Sequence, residues 1–459
     1  SDPDAGSRHT ELADEVIHLT GSSPQETYLN LEKILPLAKA AGCDAVHPGY
    51  GFLSERAHAA EAFLNAGIKW VGPSPASIRL LGDKLEAKKL LDHYKVPTAP
   101  WGEVNLSDQA GLATLAEKIG YPVLLKAASG GGGKGMRLVQ EKASLKEAAE
   151  SAAREAKSSF GDATLLLEKY IERPRHVEIQ ILGDEHGNLT HFGERECSLQ
   201  RRHQKVVEEA PAPNLSAATK EKIAASAVAL AKGVGYANAG TVEFMVDAAE
   251  NFYFLEVNSR LQVEHSVTEA VWGIDLVKTQ LLVAQGATLA ELFPQREAMR
   301  PRGHSIQARV YAEDSARQFA PCPGPLTLVE WPSAVGLRVD TGVRTGSVIG
   351  LDYDAMIAKL TVLAEDRTRA LARMQWCLAR TVIFGTVTNI NYLQDILADE
   401  EVRAGHMHVK LLETKFKDWA DLPPAELLSQ RRELAANAGK ASAGSAGGPT
   451  QIPSPWEGR

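Results

Sequence analysis

Thr241-Val242-Glu243-Phe244-Met245-Val246 and Phe252-Tyr253-Phe254-Leu255-Glu256-Val257-Asn258 are two strand-like runs that decide how the middle of this chain folds. They flank Ala249-Glu250, and a two-residue turn centred there predicts a hairpin in which Glu243 lies directly opposite Glu256. Like charges directly opposite each other are unfavourable, and an acidic residue in an apolar strand is costly unless it is paired or coordinated. A divalent cation removes both objections, and oxygen ligands favour Mg²⁺ or Mn²⁺ over zinc. The alternative is that the glutamates face solvent, and a one-residue register shift would place them on opposite faces.

A polar series continues from the second run. Counting by twos gives Glu256, Asn258, Arg260, Gln262 and Glu264, whereas the intervening positions are mostly apolar. An extended segment would therefore carry one wholly polar face. Arg260 offers a fork of donors, Gln262 a further donor and Glu264 a carboxylate able to remove a proton. The series can bind a small planar anion such as bicarbonate, although an exposed edge strand would show the same alternation.

A glycine-rich segment follows an apolar strand predicted at 122–126. It reads Ser129-Gly130-Gly131-Gly132-Gly133-Lys134-Gly135-Met136. Consecutive glycines let backbone N–H groups converge on phosphate oxygens, and a nearby lysine neutralises charge. The segment matches neither GxxxxGK[ST] nor GxGxxG, so it supports neither a P-loop nor a Rossmann dinucleotide site. A flexible surface turn is the alternative. Glu168-Lys169-Tyr170-Ile171 ends the next strand and could contact adenine, but such a segment is usually only a strand edge.

Short extended runs alternate with helical patterns in the first hundred residues. Asp44-Ala45-Val46 and Lys69-Trp70-Val71 are predicted strands, and the alternation predicts a parallel sheet covered on both faces. Farther along, helices are predicted at 220–234 and 367–379, the second within a mixed region that starts near Arg302. The pattern is that of an α/β chain.

The bulk properties exclude several classes of protein. A length of 459 residues predicts two to four packed units of roughly 100 to 200 residues each. The net charge of −8 argues against nucleic-acid binding, and no apolar run reaches the roughly 20 residues that span a bilayer. Four cysteines lie far apart, which predicts neither a zinc site nor a disulfide framework and favours a reducing cytoplasm. Cys197 is interpreted as structural. We expect no nucleic-acid or membrane partner.

Six motifs keep the order and spacing of one family from about residue 10 to about residue 415. They are His47-Pro48-Gly49-Tyr50-Gly51-Phe52-Leu53-Ser54-Glu55, Gly82-Asp83-Lys84, the glycine-rich segment, Arg175-His176-Val177-Glu178-Ile179-Gln180, Gln200-Arg201-Arg202-His203-Gln204-Lys205 with Glu208-Glu209-Ala210-Pro211, and the stretch from Asn258 to His265. The sequence thereby resembles the biotin carboxylase component of biotin-dependent carboxylases, within the ATP-grasp superfamily. The resemblance implies an ATP-grasp fold with a truncated Rossmann-like amino-terminal domain and a carboxyl-terminal biotin carboxylase domain.

The resemblance also implies a role for each matched residue. The implied nucleotide contacts are Lys84, Lys126 and His176 on the phosphates, Glu168, Lys169 and Ile171 around adenine, and Gly131, Gly132, Gly133, Gln200 and His203 nearby. The implied ligands of Mg²⁺ or Mn²⁺ are Glu243, Glu256 and Asn258. The implied bicarbonate contacts are Lys205, Arg260, Gln262 and the backbone of Val263.

The implied chemistry is ATP-dependent carboxylation of biotin. Glu264 would be the general base that deprotonates bicarbonate for attack on the γ-phosphate, which gives carboxyphosphate. Arg309 would stabilise the biotin enolate, and Tyr50 would shape the biotin side of the site. We expect Arg260, beside Glu264, to keep that carboxylate ionised.

The implied domains are an amino-terminal domain over 1–81, an ATP-grasp domain over 82–300 with a lid at about 99–170, a carboxyl-terminal domain over 301–417 and a flexible linker or tail over 418–459. Family members carry a strand and a helix that would precede residue 1, so the first domain is expected to lack them. No Met-Lys pair of a biotin-carrying domain occurs. Biotin is therefore expected to arrive on a carrier protein or domain.

The implied setting is the first half-reaction of an acyl-CoA carboxylase. A carboxyltransferase subunit is an expected partner, and a homodimer or larger complex is expected, in the cytoplasm or a mitochondrial matrix. Asp340-Thr341-Gly342-Val343-Arg344 resembles subunits that serve branched or odd-chain acyl-CoA. Two alternatives stay open. One is another ATP-grasp carboxylate–amine ligase, and the other is a silent structural subunit, against which the retained charged positions argue.

Overall fold

The computed structural model describes residues 1–82, 84–128 and 136–421, with all their side chains except those of Lys84, Leu85 and Phe160. Mutual contacts place Ser1–Asp418 in one unit. The glycine-rich segment at 129–135 and most of the predicted tail at 418–459 lie outside the described residues. Among the described helices, none combines the length and the apolar character that a membrane crossing requires.

Helices surround one pair of parallel strands in the first region. Its elements are α1 (Arg8–Leu12), α2 (Leu31–Ala40), β1 (Ala45–Val46), α3 (Ala57–Asn65), β2 (Lys69–Trp70), α4 (Pro75–Gly82) and α5 (Lys84–Tyr94). β1 and β2 pair in parallel, with Ala45 opposite Lys69, and Phe63, Ile68 and Trp70 are buried beside them. The predicted parallel sheet is therefore present, but it has only these two short strands in the described part of the chain.

A small four-stranded sheet backed by two helices follows within the segment predicted as a lid at about 99–170, and we refer to this unit as the lid. Its elements are β3 (Trp101–Val104), α6 (Gln109–Ile119), β4 (Val123–Ala127), β5 (Arg137–Val139), α7 (Lys142–Phe160) and β6 (Leu165–Lys169). The strand order is β3-β6-β4-β5, and every pair is antiparallel. The lid has a hydrophobic core of its own, which includes Leu125, Ala149 and Leu167. Asp108 caps α6 by accepting from the backbone N–H of Gly111.

The next region builds one half of a large antiparallel sheet. Its elements are β7 (Arg175–Gly183), β8 (Leu189–Arg201), β9 (Gln204–Ala210), α8 (Ala217–Gly233), β10 (Asn238–Val246), β11 (Phe252–Asn258), α9 (His265–Trp272), α10 (Leu276–Ala284) and α11 (Leu289–Leu292). The alanine-rich helix predicted at 220–234 is α8, and its buried face packs on β7 and β8.

The last region adds three more strands to that sheet and several short pairs around it. Its elements are β12 (His304–Tyr311), β13 (Glu313–Asp314), β14 (Ala320–Pro321), β15 (Gly324–Pro325), β16 (Leu328–Glu330), β17 (Leu337–Thr341), β18 (Val348–Ile349), β19 (Met356–Ala364), α12 (Arg367–Arg380), β20 (Val382–Phe384), α13 (Ile390–Ala398), α14 (Glu400–Ala404) and α15 (Leu411–Lys415). The eight strands follow the order β11-β10-β7-β8-β9-β12-β19-β17. The sheet therefore continues across the predicted domain boundary at residue 300 through the pairing of β9 with β12.

The β10–β11 hairpin pairs Glu243 with Glu256, as predicted, but the turn differs from the prediction. Residues 247–251 connect the strands, and Asp247 holds this loop by accepting from the backbone N–H groups of Ala249 and Asn251 at 2.9 Å. The predicted two-residue turn is therefore wrong. A β-bulge restores the predicted pairing, because one extra residue on β11 separates this pair from the pairs nearer the turn.

The chain does not stay extended after β11, so the predicted strand-like polar face over 256–264 is wrong. β11 ends at Asn258, and α9 begins at His265 with Glu264 as its N-cap. The reversal is held by the Lys359 ammonium, which donates to the backbone oxygen of Val263 at 2.7 Å. A polar residue at every second position does not reveal such a reversal, because a turn can also bring alternate side chains to one place.

Candidate active site

A cavity of about 620 Å³ lies between the lid and the large sheet. Sixteen of the predicted site residues line it: Tyr50, Lys126, Glu168, Lys169, Ile171, His176, Gln200, His203, Lys205, Glu243, Glu256, Asn258, Arg260, Gln262, Val263 and Arg309. Glu264 is not on the wall, because it is fully buried behind Lys205 and Arg309. The side chain of Lys84 and the predicted contacts Gly131, Gly132 and Gly133 lie outside the described residues.

Lys205 is the electrostatic centre of this site. It extends from β9, and its ammonium contacts three carboxylates, those of Glu178 (2.6 Å), Glu243 (2.9 Å) and Glu264 (2.7 Å). Burial disfavours the charged ammonium, but the three carboxylates outweigh burial and raise the pKa of Lys205 well above its ordinary value. Lys205 is therefore a fixed cation.

Glu264 is held ionised between two cations. One carboxylate oxygen contacts Lys205, and the other lies 3.0 Å from the Arg309 guanidinium. Burial would raise the pKa of Glu264, but Lys205 and Arg309 outweigh burial and hold that pKa well below its ordinary value. The predicted ionised state is confirmed, with different contacts from those predicted. Arg260 instead pairs with Glu55 at 3.0 Å.

Arg309 links this centre to the other half of the sheet. It lies on β12, and its Nε donates to Glu208 at 2.6 Å while Nη2 contacts Glu264 at 3.0 Å. Asn389 fixes the strand there, because its side chain bonds both the carbonyl of Arg309 and the backbone N–H of Tyr311. The guanidinium is thus positioned at the cavity wall by groups on three elements.

Glu243 occupies the position predicted for a metal ligand. Its Oε1 accepts hydrogen bonds from the side-chain amides of Asn258 at 2.8 Å and Gln262 at 3.0 Å. Burial would raise its pKa, but Lys205 and His176 outweigh burial and lower it. Because directly opposed residues of antiparallel strands share one face, Glu256 presents its side chain on the same side as Glu243. Two carboxylates and an amide oxygen on the cavity wall fit Mg²⁺ or Mn²⁺.

His176 is held in a single tautomer by Gln200. The Gln200 side-chain nitrogen donates to the backbone oxygen of Cys197 at 2.8 Å, which fixes the orientation of the amide, and it lies 2.8 Å from His176 Nδ1. His176 Nδ1 therefore accepts that hydrogen bond, which leaves Nε2 as the ring nitrogen that carries a proton. That Nε2 lies 2.9 Å from Glu243 and faces the cavity side of the site.

Glu168, Lys169 and Ile171, which were predicted to contact adenine, lie on the cavity wall. The Glu168 carboxylate is paired with lysines, and the Lys169 ammonium donates to the carbonyls of Gly120 at 2.8 Å and Tyr121 at 3.0 Å. These side chains shape the wall and turn their charges toward other protein groups.

Several functional residues were not predicted. Glu178 lies within a quoted motif, but its contact with Lys205 was not expected. Arg195 is fully buried behind it and contacts Glu178 at 2.5 Å and Gln180 at 2.7 Å. The alternation of His176, Glu178 and Gln180 along one strand is the signal that could have found this polar row. Glu208, which contacts Arg309, gave no such signal.

A lid over a sheet that carries paired carboxylates and converging cations defines an ATP-grasp enzyme. Three family models cover most of the chain: "Biotin carboxylase, N-terminal domain" at 1–78, "Carbamoyl-phosphate synthase L chain, ATP binding domain" at 83–292 and "Biotin carboxylase C-terminal domain" at 307–414. The chain belongs to the biotin carboxylase family, and it is an ATP-dependent ligase. The predicted family, the mixed α/β ATP-grasp fold and the enzyme class are confirmed.

Two curated relatives illustrate the match. The alpha chain of mouse mitochondrial methylcrotonoyl-CoA carboxylase is 45% identical over 421 residues, which are 91% of this chain and 58% of that relative. A pyruvate carboxylase subunit from Methanothermobacter thermautotrophicus is 42% identical over 434 residues, 95% of this chain and 87% of the relative. The chain thus spans little more than half of the first relative and most of the second.

Solved structures agree in fold. The Campylobacter jejuni biotin carboxylase in its β-γ-ATP complex is 40% identical, with a TM-score of 0.85 over 89% of this chain and 91% of that one. The biotin carboxylase domain dimer of Hydrogenobacter thermophilus 2-oxoglutarate carboxylase is 41% identical, with a TM-score of 0.86 over 92% of each chain. That dimer was crystallised with MgADP, ADP and bicarbonate.

Proposed function

We propose that this chain uses Mg-ATP and bicarbonate to form carboxyphosphate and then carboxylates biotin presented by a carrier. The observation that carries the proposal is that Lys205, Arg309 and Glu243 line one cavity, and that Lys205 and Arg309 hold Glu264 directly behind its wall. Phosphoryl transfer needs reactants held in line and charge neutralised, and a buried array of fixed cations around carboxylates supplies both.

Glu264 acts as the general base. It accepts the bicarbonate proton, and the bicarbonate oxygen attacks the γ-phosphorus while ADP leaves with the bonding electron pair. Arg260, Gln262 and the backbone N–H of Val263 hold the anion on the cavity wall. The depressed pKa of Glu264 keeps the carboxylate unprotonated at neutral pH, so it carries no proton before bicarbonate binds.

The other residues position and neutralise the nucleotide. Lys126 and His176 face the phosphates, and Glu243, Glu256 and Asn258 hold Mg²⁺, which neutralises phosphate charge when it is bound. Arg309 stabilises the negative charge that develops on the biotin ureido oxygen, and Tyr50 borders that side. The remaining nucleotide contacts are Lys84, Gly131, Gly132, Gly133, Glu168, Lys169, Ile171, Gln200 and His203.

Incorporation of labelled bicarbonate into free biotin tests the proposal. The expected product is acid-labile carboxybiotin, formed only when ATP, Mg²⁺ and bicarbonate are all present. ATP hydrolysis that proceeds with another carboxylate and an amine, and does not depend on bicarbonate, would favour the rival ATP-grasp ligase. Nucleotide binding without turnover in every condition would favour the silent structural role.

The wider setting is also a proposal. Supported by relatives that are carboxylase subunits, it places the chain with a biotin carrier and a carboxyltransferase subunit. The dimeric neighbour supports a homodimer. The proposed domains are those predicted at 1–81, 82–300 and 301–417, with a tail at 418–459. An acyl-CoA acceptor and a mitochondrial location are supported by the names of the relatives alone, and a cytoplasmic location rests on the widely separated cysteines.

A further inference from the structure

Glu168 lies between two lysines at the base of the lid. Its Oε2 contacts the Lys126 ammonium at 2.6 Å, and its Oε1 contacts the Lys88 ammonium at 2.8 Å. All three side chains are buried, with exposed fractions of 9% for Glu168, 6% for Lys88 and 15% for Lys126. Burial would raise the pKa of Glu168, but Lys126 and Lys88 outweigh burial and lower that pKa to about 2. The cluster therefore holds one anion and two cations.

The two lysines differ in what else they can reach. Lys126 extends from β4 of the lid and lines the cavity, together with Glu168. Lys88 belongs to α5, which precedes the lid in the chain, and it is absent from the cavity wall. Its ammonium lies 5.2 Å from the centre of the Trp101 ring on β3, so it is enclosed by lid residues. Of these two lysines, only Lys126 lies on the cavity wall, where it can turn toward a bound phosphate.

If Lys126 were the only partner of Glu168, turning Lys126 toward a phosphate would leave the buried Glu168 carboxylate without a cation. A buried carboxylate deprived of its cation is strongly destabilising, so Lys126 would be held back from the nucleotide. With Lys88 in place, Glu168 keeps one charge-assisted hydrogen bond while Lys126 exchanges its own for a phosphate oxygen.

We propose that Lys88 is a positioning residue that keeps Glu168 neutralised and thereby releases Lys126 to bind a nucleotide phosphate. The inference rests on the proposed function, because it takes the cavity to be the ATP site. It adds to that site a residue that contacts neither nucleotide nor metal. It also gives α5 a role in nucleotide binding through the contact of Lys88 with Glu168 of the lid.

Nucleotide binding by Lys88→Met tests the inference. Methionine keeps the length of the side chain and removes the charge. We expect the dissociation constant for Mg-ATP to rise by about 10- to 100-fold, the scale of a lost charged hydrogen bond, with an unchanged KM for bicarbonate. Lys89→Met is the matched control on the same helix, because Lys89 pairs at the surface with Glu86, and it should bind nucleotide normally.

A double-mutant cycle with Glu168→Gln separates positioning from a purely structural role. Once the carboxylate is gone, Lys88 has no charge to balance, so Lys88→Met should change nucleotide affinity by less than about twofold in that background. The same substitution should lower the melting temperature of the wild type but raise that of Glu168→Gln, which buries an unpaired ammonium. This arm remains informative even if Lys88→Met alone does not fold.

Two results would overturn the inference. One is equal Mg-ATP affinity of wild type and Lys88→Met, and the other is a loss of affinity that persists in the Glu168→Gln background. Failure of the proposed function gives a different result, since the wild type would then not incorporate labelled bicarbonate into biotin, whatever the Mg-ATP affinities of the variants.

Discussion

At the scale of single residues, the site is a set of buried charges in which Glu178, Glu208, Glu243 and Glu264 each contact at least one cation. Glu178 contacts Lys205 and Arg195, and Glu208 contacts Arg309. Such clusters are costly to assemble, and removing one partner leaves an uncompensated charge. Individual substitutions here are therefore expected to separate chemistry, anion binding and stability from one another.

Glu264→Gln tests the base. Glutamine preserves shape but cannot accept the bicarbonate proton, and general-base contributions are typically about 10²- to 10⁴-fold. We expect bicarbonate-dependent carboxylation of biotin to fall within that range, with little change in the nucleotide dissociation constant. Steady-state rates and calorimetric binding measure the two quantities. Near-normal carboxylation would mean that Glu264 only orients Lys205 and Arg309.

Arg260→Ala should weaken bicarbonate binding as well as slow turnover, whereas Glu264→Gln should affect mainly turnover. Arg260 donates at 2.9 Å to Asn258 and lines the cavity where bicarbonate is proposed to bind. Its removal should raise the KM for bicarbonate by about tenfold or more as well as slow turnover, because a charged donor is lost. An unchanged KM for bicarbonate, measured at saturating ATP, would remove Arg260 from the anion site.

Arg195→Met tests the hidden support of the site. Arg195 is fully buried and donates to Glu178, Gln180 and Thr241. Its loss should lower the free energy of unfolding by about 3–5 kcal/mol, because Glu178 loses one of its cations. Urea unfolding measures the change. Arg79→Met, at an exposed pair with Glu61, is the control and should cost no more than about 1 kcal/mol.

At the scale of elements, the sequence predicted which residues of two strands pair better than it predicted the course of the backbone between and after those strands. The Glu243–Glu256 pair was predicted from alternation and a turn signal, and it is present although the loop is longer and a bulge compensates. The pattern of polar residues predicts which side chains lie together. It does not predict a β-bulge, because the extra residue of a bulge is of the same kind as the other strand residues. For the same reason the reversal between Asn258 and His265 was missed.

The turn between β8 and β9 has a strained backbone, and this strain can be tested by substitution. Arg202 and His203 connect these strands, and both have positive φ, 49° and 65°. This is the backbone of a type I′ hairpin turn, which favours Asn and Gly because other residues are strained there. The strained turn presents His203 at the cavity wall.

Arg202→Gly should relieve part of that strain. We expect the free energy of unfolding to rise by about 0.5–1 kcal/mol, the strain relief less the added freedom of glycine in the unfolded chain. Arg202→Ala keeps the Cβ atom and should give no such gain. Urea unfolding of the three proteins measures the difference, and equal behaviour of glycine and alanine would show that the turn stores no strain.

At the scale of the whole molecule, the site depends on long-range strand order. Glu208 on β9 meets Arg309, and Lys205 on the same strand contacts Glu264 together with Arg309, because β12 pairs with β9, about a hundred residues away along the chain. Local periodicity carries no information on such neighbours, so Lys205 and Arg309 entered the predicted site only through the family resemblance. The charge balance that follows from this order sets how the whole fold responds to pH.

Two histidines, the half-buried His191 and the buried His265, are expected to contribute strongly to that response in mildly acidic solution. Burial and the neighbouring Arg296 lower the pKa of His191 to about 4. Burial and the neighbouring Lys359 lower the pKa of His265 to about 3. Both rings are therefore neutral in the fold well below the ordinary histidine value of about 6.5.

The sign follows from comparing the two states. Below about pH 6.5 the unfolded chain takes up a proton at each histidine and the folded chain does not, so the free energy of unfolding falls as pH falls. Each group contributes about 1.4 kcal/mol per pH unit, or about 2 kcal/mol by pH 5. Glu196 and Glu269, whose pKa values burial raises, act in the opposite direction, so the histidine effect must be isolated by substitution.

The double variant His191→Asn/His265→Asn isolates it. Asparagine can replace both hydrogen bonds, since His191 Nδ1 accepts from the backbone N–H of Gly193 and His265 Nδ1 lies 2.7 Å from the Gln262 carbonyl. Urea unfolding at pH 8 and pH 5 gives the loss of stability for each protein. We expect the variant to lose about 4 kcal/mol less than the wild type over that interval, because two protons are no longer taken up on unfolding. Equal losses would mean that neither ring is kept neutral by the fold, and that acid acts on this molecule through its buried carboxylates alone.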